Sequence, residues 1–308
     1  MKLLPKTTLS ESAKASRWRH IWIIDILIAL LLFLIAQLIE LSVLAFPALF
    51  TLLAPSFPGY TEDVASKFDT FLLLLQLLAT ISLIIVCILY CTKMEHRSVQ
   101  SIGFCGTSPI IEYIKGFFLG AFLFTSAWLI CLLFGVIEVH LSTKSISPII
   151  VLFLVAFCVQ GLSEEVFCRG FLMQSLSSRY PPIVAIISNS IVFACLHLLN
   201  NSISVLALFN LFLFGIFASL YFWKRGNIWG IAAAHSSWNF VQGNFFGINV
   251  SGINIESSIF TTSLKDSGSF INGGGFGLEG GIAVTIILLI ASVIILVAPA
   301  RSNIVIAE

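Results

Sequence analysis

The chain of 308 residues is 58% hydrophobic and only 10% charged, and its mean hydropathy is +1.04. A soluble domain of this length is nearer half apolar and about a quarter charged, so this composition excludes a soluble globular protein and indicates a polytopic membrane protein. The formal net charge of +1 gives no reason to predict a nucleic-acid partner.

The N-terminus predicts a retained first transmembrane helix. Five Lys and Arg residues occupy the first twenty positions, before an apolar run that begins at Ile21. A cleaved signal peptide has an apolar core of only ~7–15 residues, whereas this run continues past Ala36 without a break. We therefore interpret residues 1–20 as a basic cytoplasmic tail, 21–300 as a single transmembrane domain and 301–308 as a second cytoplasmic tail.

Further apolar runs predict an all-α fold class, a polytopic transmembrane helix bundle. A spanning helix needs about 20 consecutive apolar residues. Runs near this length give about eight spans, at roughly 21–44, 70–92, 110–137, 146–163 (continuing to about 178), 182–200, 204–223, 227–247 and 280–299. Asp25 and Glu40 are expected to mark the ends of the first hydrocarbon span, and Glu40 could also line a cavity.

The basic residues predict the orientation of this bundle. With the N-terminus in the cytoplasm, 13 of the 16 Lys and Arg residues fall on the inner side, and Lys67, Lys144 and Lys265 fall outside. Both termini are then cytoplasmic, and the connection 248–279 lies outside. Its glycine-rich end, INGGGFGLEGG, does not follow a strand or open a phosphate-binding helix, so we expect a flexible loop rather than a nucleotide site.

The segment GLSEEVFCRGF places three charges inside an apolar region. A charged side chain in the hydrocarbon core costs at least ~2.5–3.5 kcal/mol. On a helix, Glu165 and Arg169 share a face, with the acid before the base, so they neutralise each other. Glu164 points about 100° away. It gains no partner from this segment, and we expect its partner on another helix.

Two more polar groups follow in later helices. FACLH ends in His197, and HSSWN places His235 and Asn239 four residues apart on one face. Taken alone, His197 could be a packing residue, Asn239 an interhelical contact, and the Glu165–Arg169 pair a structural one. Taken together with Glu164, these groups predict a reactive site, because polar groups in a membrane face the bundle interior or a wet cavity.

The three groups also fit known motifs, in the order EExxxR, FxxxH and HxxxN. The chain thus resembles the CPBP family (CAAX protease and bacteriocin-processing, also called ABI), which consists of intramembrane proteases. The resemblance covers about residues 97–245 and includes RSVQSIGF and the glycine-bearing KGFFLG. It implies an endopeptidase that hydrolyses a hydrophobic or membrane-anchored peptide, prenylated or bacteriocin-like, in a membrane that we expect to be a bacterial plasma membrane.

By this resemblance Glu164 is the base that activates water, and His197 joins it at the water or at a metal. His235 and Asn239 bind a metal or stabilise the oxyanion. The supporting residues are Glu165, Arg169 and Phe193. The set Glu164, His197 and His235 would suit zinc with an open fourth position. HExxH is absent, however, and a metal-free glutamate mechanism is equally open.

One geometric tension accompanies this prediction. Counting 1.5 Å per residue from the predicted helix ends places Glu164 ~25 Å below the outer surface and His197 ~22 Å above the inner one. In a core ~30 Å thick, the two would be offset by more than ~10 Å unless the helices tilt. The alternatives to an enzyme are a non-enzymatic scaffold or immunity protein that keeps the fold and a transporter, which the lack of an internal repeat disfavours.

Overall fold

The computed structural model describes residues 4, 7–14, 16, 21–53, 55, 60–142, 148–255 and 257–299. Five of its helical runs are long and apolar enough to cross a membrane: Trp22–Leu53, Glu62–Met94, Pro109–Leu133, Ile149–Ser177 and Val205–Arg225. Two shorter apolar helices accompany them. The predicted helical, multi-pass membrane architecture is confirmed. The number of spans and the orientation stay predictions. The tail 301–308 and half of the residues 1–20 lie outside the described residues.

The helices in chain order are α1 (Thr8–Ala13), α2 (Trp22–Leu53), α3 (Glu62–Ala79), α4 (Ile81–Leu89), α5 (Pro109–Leu133), α6 (Ile149–Glu165), α7 (Gln174–Ser177), α8 (Pro182–Cys195), α9 (Val205–Arg225), α10 (Trp229–Phe240), α11 (Ser269–Asn272) and α12 (Ile282–Val297). Segments of π-helix continue α4 (Tyr90–Met94), α6 (Val166–Met173) and α10 (Val241–Phe245). Short 3-10 helices cover Val99–Ile102, Asp266–Gly268, Gly274–Phe276 and Leu278–Gly280.

A small sheet departs from the all-α prediction. The third helix was expected to reach residue 137, but α5 ends at Leu133, and Gly135 follows with a φ of +65°, which takes the chain out of the helix. The next residues form β1 (Ile137–Leu141), which pairs antiparallel with β2 (Phe260–Leu264), Ile137 lying opposite Leu264.

Several predicted helix bounds also change. The first helix continues through Pro47 to Leu53. The second begins at Glu62, since Thr61 precedes it in an extended conformation and its side chain accepts a hydrogen bond from the Val64 amide. The fifth ends at Cys195, so His197 lies in the turn after the helix rather than inside it.

The connection predicted as a flexible loop is folded. We call residues 248–255 and 257–281 the cap. The cap contains β2, α11 and short 3-10 helices, and its Phe276 and Leu278 are fully buried. A glycine-rich composition predicts irregular backbone correctly, but it does not show that the irregular backbone is packed.

Glycines bring α10 into close contact with two other helices. A Cβ on Gly116 would lie 1.8 Å from the carbonyl oxygen of Gly230, and one on Gly120 would lie 2.0 Å from that of Ala234. On the other side, a Cβ on Gly161 would lie 2.6 Å from Ser236 Oγ. Small residues allow helix backbones to approach this closely in membranes. The glycines of α5 and α6 therefore place α10, which carries His235, next to α6, which carries Glu164.

The outer helices differ from this interior. Phe46 of α2 is 80% exposed, and large apolar side chains are exposed along most of α2. Such a surface fits lipid rather than water. Asp25, by contrast, is buried and forms an ion pair with Arg179 at 3.2 Å, and its place at the end of the first hydrocarbon span stays a prediction.

Candidate active site

A cavity of about 250 Å³ lies among the helices and beneath the cap. Five of the residues predicted from the motifs line it: Glu164, Phe193, His197, His235 and Asn239. The other two, Glu165 and Arg169, are fully buried and contact these lining residues. Glu164 and His197 therefore line one cavity, although the count along upright helices placed them at different depths.

The EExxxR motif sits where α6 changes to a π-helix. Val166–Met173 forms this segment, and all of its residues are buried. Such segments occur frequently at functional sites because the extra residue per turn redirects the side chains. Here Glu165 and Arg169 keep their contact across the change, with 3.0 Å between Glu165 Oε1 and Arg169 Nη1.

The buried Glu165–Arg169 pair orients the histidine of α10. His235 Nδ1 lies 2.9 Å from Glu165 Oε1, and both side chains are almost completely inaccessible. Arg169 also donates to the carbonyl of Gly215 at 3.2 Å, and its guanidinium lies 4.7 Å from the centre of the Phe193 ring. The pair therefore joins α6 and its π-helical continuation to α8, α9 and α10, and it orients the ring of His235.

Glu164 has a first partner on its own helix, one residue before the segment GLSEEVFCRGF begins. Gln160 Nε2 donates to Glu164 Oε1 at 2.5 Å from one turn earlier. Among the described residues, Glu164 Oε2 has no hydrogen-bond partner. The nearest basic group is His235 Nε2, at 3.8 Å, which is beyond hydrogen-bond distance. His235 is thus the expected partner on another helix, but its Nε2 does not form a hydrogen bond with Glu164 Oε2.

Gln160 is a site residue that the motifs do not contain. Its Oε1 accepts a hydrogen bond of 2.9 Å from Asn239 Nδ2, while its Nε2 holds Glu164. One amide therefore links the first and third motifs. The spacing of four residues between Gln160 and Glu164 was available in the sequence, since residues so spaced are neighbours on a helix.

His197 is held by the backbone of its own motif. Its Nδ1 lies 2.8 Å from the carbonyl oxygen of Phe193, and the two rings are 4.8 Å apart. Because a carbonyl only accepts hydrogen bonds, we assign the proton to Nδ1. Nε2 then remains as the polar atom of His197 that is free to face the cavity.

Two carboxylates outside the motifs also line the cavity. Glu40 of α2 is held by Gln37 and Ser82, which agrees with the expectation that it could line a cavity. Glu279 of the cap accepts two hydrogen bonds from Ser251. Burial raises the pKa of Glu279 above its ordinary value, and the hydrogen bonds from Ser251 and the neighbouring imidazoles oppose this rise.

The predicted zinc ligands do not form a metal site as they stand. Glu164, His197 and His235 supply suitable donor atoms, and the imidazoles are oriented through Nδ1 as metal-bound histidines usually are. Nevertheless, within the described ranges no three His, Cys, Asp or Glu side chains are arranged to hold a metal ion. The residues therefore do not fit zinc in this arrangement.

Comparison with known proteins identifies the segment that carries the motifs. Residues 144–241 match the family model described as type II CAAX prenyl endopeptidase, Rce1-like. No curated protein and no solved structure matches the chain. The match contains all three motifs and confirms the resemblance to the CPBP family. At the level of the family it supports an intramembrane CAAX-type protease that acts on a membrane-associated substrate.

Proposed function

We propose that this chain is an intramembrane endopeptidase in which Glu164 activates water. The proposal starts from the match of residues 144–241 to the Rce1-like family model. The observation that carries the proposal is the gap between Glu164 Oε2 and His235 Nε2, 3.8 Å wide and on the wall of the cavity. Oε2 is also a buried acceptor without a hydrogen-bond partner among the described residues, and such groups are commonly satisfied by a bound water. Both atoms accept hydrogen bonds when Glu164 is ionised and His235 carries its proton on Nδ1.

In the proposed reaction this water donates to both acceptors and directs its oxygen at the scissile carbonyl. Glu164 takes one proton as the C–O bond forms, which gives a tetrahedral intermediate with a negative oxygen. Glu164 then returns the proton to the nitrogen as the C–N bond breaks, leaving a carboxylic acid and an amine. Gln160 holds the other oxygen of Glu164, so the base is aimed before the substrate arrives.

The remaining motif residues are proposed to act on the carbonyl oxygen. Asn239 uses one N–H for Gln160, and its second N–H is a donor for the oxyanion. His197 presents Nε2 to the same cavity and donates when it is protonated. Donors that are fixed before the reaction stabilise the developing charge without reorganisation. No step of this mechanism passes through a metal.

The substrate is proposed to be a hydrophobic or membrane-anchored peptide, prenylated or bacteriocin-like. A cavity of about 250 Å³ lies below the ~300–1,000 Å³ of typical ligand pockets. It therefore accommodates the residues around the scissile bond, while a lipid anchor or a flanking helix stays outside. The exposed apolar surface of α2 is suited to such contact within the bilayer.

The test is cleavage of a library of membrane peptides by purified protein in lipid vesicles. Glu164→Gln keeps the shape of the side chain but removes the base, so we expect kcat to fall by about 10²–10⁴-fold. Glu40→Gln is the matched control, since Glu40 lines the same cavity outside the motifs, and it should stay close to the wild type.

Cleavage in the presence of a metal chelator tests the metal-free route, and the wild type should remain active under this condition. Loss of cleavage that zinc restores would overturn the glutamate-only mechanism. Full activity of Glu164→Gln would overturn the role of Glu164. A wild type that cleaves nothing, while Glu164→Gln keeps its cellular function, would replace the enzyme by the non-enzymatic scaffold.

A further inference from the structure

The turn that carries His197 is held by the cap. Within the turn, the amide of Asn200 donates to the carbonyl of His197 at 3.0 Å. The side chain of Asn200 then reaches out of the turn, and its Nδ2 donates to the carbonyl of Ser251 in the cap at 3.0 Å. A Cβ on Gly252 would lie 2.2 Å from the carbonyl oxygen of Asn201. The cap and the turn are therefore in direct backbone contact.

Ser251 is held in an unusual conformation at this contact. Its φ is +47°, a left-handed value that residues other than glycine adopt rarely. Such a conformation persists only where its surroundings determine it. Here Glu279 Oε2 accepts both the amide of Ser251, at 2.7 Å, and its hydroxyl, at 2.8 Å. One oxygen atom of Glu279 thus fixes the residue whose carbonyl holds Asn200.

Glu279 is itself anchored to the helix bundle. Asn210 of α9 donates to the backbone carbonyls of Glu279 and Gly281, both at 2.8 Å. Thr285 of α12 in turn donates to Asn210 Oδ1 at 2.6 Å. These contacts join the end of the cap to two apolar helices, so the position of Glu279 is determined by the bundle rather than by the cap alone.

We propose that Glu279 is a positioning residue of the active site, which acts through Ser251 and Asn200 to hold the turn that carries His197. The inference rests on the proposed function for its kinetic consequence. Glu279 lies outside both the three motifs and the matched segment 144–241. The part of the chain after the motifs is therefore required to complete the site.

The structure separates this role from an effect of charge. Both hydrogen bonds from Ser251 end on one oxygen, and a glutamine offers one such oxygen. Glu279→Gln should therefore keep the contacts, whereas Glu279→Ala should lose them. We expect kcat to fall by about 10–100-fold in Glu279→Ala and by less than about threefold in Glu279→Gln, with KM changed little in both, because a small misplacement of a reacting group has effects of this size.

The hydrogen bonds between Glu279 and Ser251 and between Ser251 and Asn200 form one path to the turn. Asn200→Ala removes the second of these contacts, so it should lower kcat as much as Glu279→Ala does. The double variant should be no worse than either single variant, since both remove one path. Asn249→Ala is the control: it removes an exposed hydrogen bond within the cap, to the carbonyl of Gly275, without touching the path. Its kcat should be that of the wild type.

Hydrogen exchange of peptides covering residues 194–204 gives a readout that needs no activity. The intact protein in lipid nanodiscs should exchange faster in this region in Glu279→Ala, and at the wild-type rate in Glu279→Gln and Asn249→Ala. If the wild type proves inactive but this exchange pattern holds, the proposed function fails while the structural path stands.

Three results would overturn the inference. Equal losses in Glu279→Gln and Glu279→Ala would show that the charge of Glu279 matters and not its acceptor oxygen. Additive losses in the double variant would show two independent effects on stability. Unchanged exchange over residues 194–204 in Glu279→Ala would show that the cap does not hold the turn.

Discussion

The wall of the cavity formed by α6 and α10 differs from the walls formed by α2 and the cap. On the α6–α10 wall, polar side chains of one helix bond to those of the other, as Asn239 does to Gln160. The cap wall is held largely through its backbone, as the Ser251 amide is by Glu279. Side-chain contacts at helical spacing leave a pattern in a sequence, and backbone contacts of irregular segments leave none. The difference explains why the motifs contain no residue of α2 or of the cap.

The largest expected contrast between the two regions concerns their ion pairs. Arg169→Met leaves Glu165 buried without its cation, which should lower the free energy of unfolding by about 3–5 kcal/mol. Lys265 pairs with Glu138 beside the cap at 3.1 Å, but both side chains are exposed, so Lys265→Met should cost about 0–1 kcal/mol. Reversible unfolding in mixed micelles measures both, and equal losses would contradict the contrast.

A smaller contrast is expected from two glycines. Gly120→Ala places a methyl group 2.0 Å from the carbonyl oxygen of Ala234, so α10 must move, at a cost of about 1–3 kcal/mol and with reduced kcat. Gly274 of the cap has a φ of +58° and no neighbour nearer than 3.6 Å, so Gly274→Ala adds only backbone strain of about 1 kcal/mol.

Unfolding and steady-state cleavage together test this glycine contrast. A Gly120→Ala variant with wild-type kcat would show that the distance between α5 and α10 does not control the site. A Gly274→Ala variant with strongly reduced kcat would show that the cap is as sensitive as the helix contact.

The smallest expected effect compares two glutamine–glutamate pairs. Gln160→Ala frees both Glu164 and Asn239, and it should lower kcat by about tenfold, or roughly 1.4 kcal/mol, while the fold remains. Gln37 donates to Glu40 at 3.1 Å on α2, in the same cavity, and Gln37→Ala should leave kcat within about twofold. The kcat values of the two variants in steady-state cleavage measure this difference. Similar losses in both would remove the distinction between the α6–α10 wall and the α2 wall.

The helices could be predicted because apolar runs of spanning length have few other uses. Their ends were less accurate where a single residue decides them, as Gly135 does after α5 and Thr61 does before α3. The pairing of β1 with β2 joins segments that are far apart in the sequence and too short to show a clear periodicity. Such a contact depends on how the bundle brings its two ends together.

In the candidate site, too, contacts at helical spacing could be predicted and contacts between remote segments could not. Glu165 and Arg169 were paired correctly because four residues on a helix fix their distance. Gln160 had the same spacing to Glu164 and was missed, since an amide in an apolar run has an ordinary explanation as a packing residue. Glu279 had no such signal, because its partner Ser251 lies in irregular backbone 28 residues earlier.

The sequence by itself determined that this chain lies in a membrane and that it is helical, while the resemblance of its motifs to a known family selected the seven site residues. Composition and helical spacing are local properties, and they do not depend on how helices cross. The tertiary structure alone decided that α10 packs between α5 and α6 at their glycines, that Glu164 and His235 stop 3.8 Å apart, and that the cap closes on the turn of His197. These are distances between segments remote in sequence, and only the packing of the whole chain sets them.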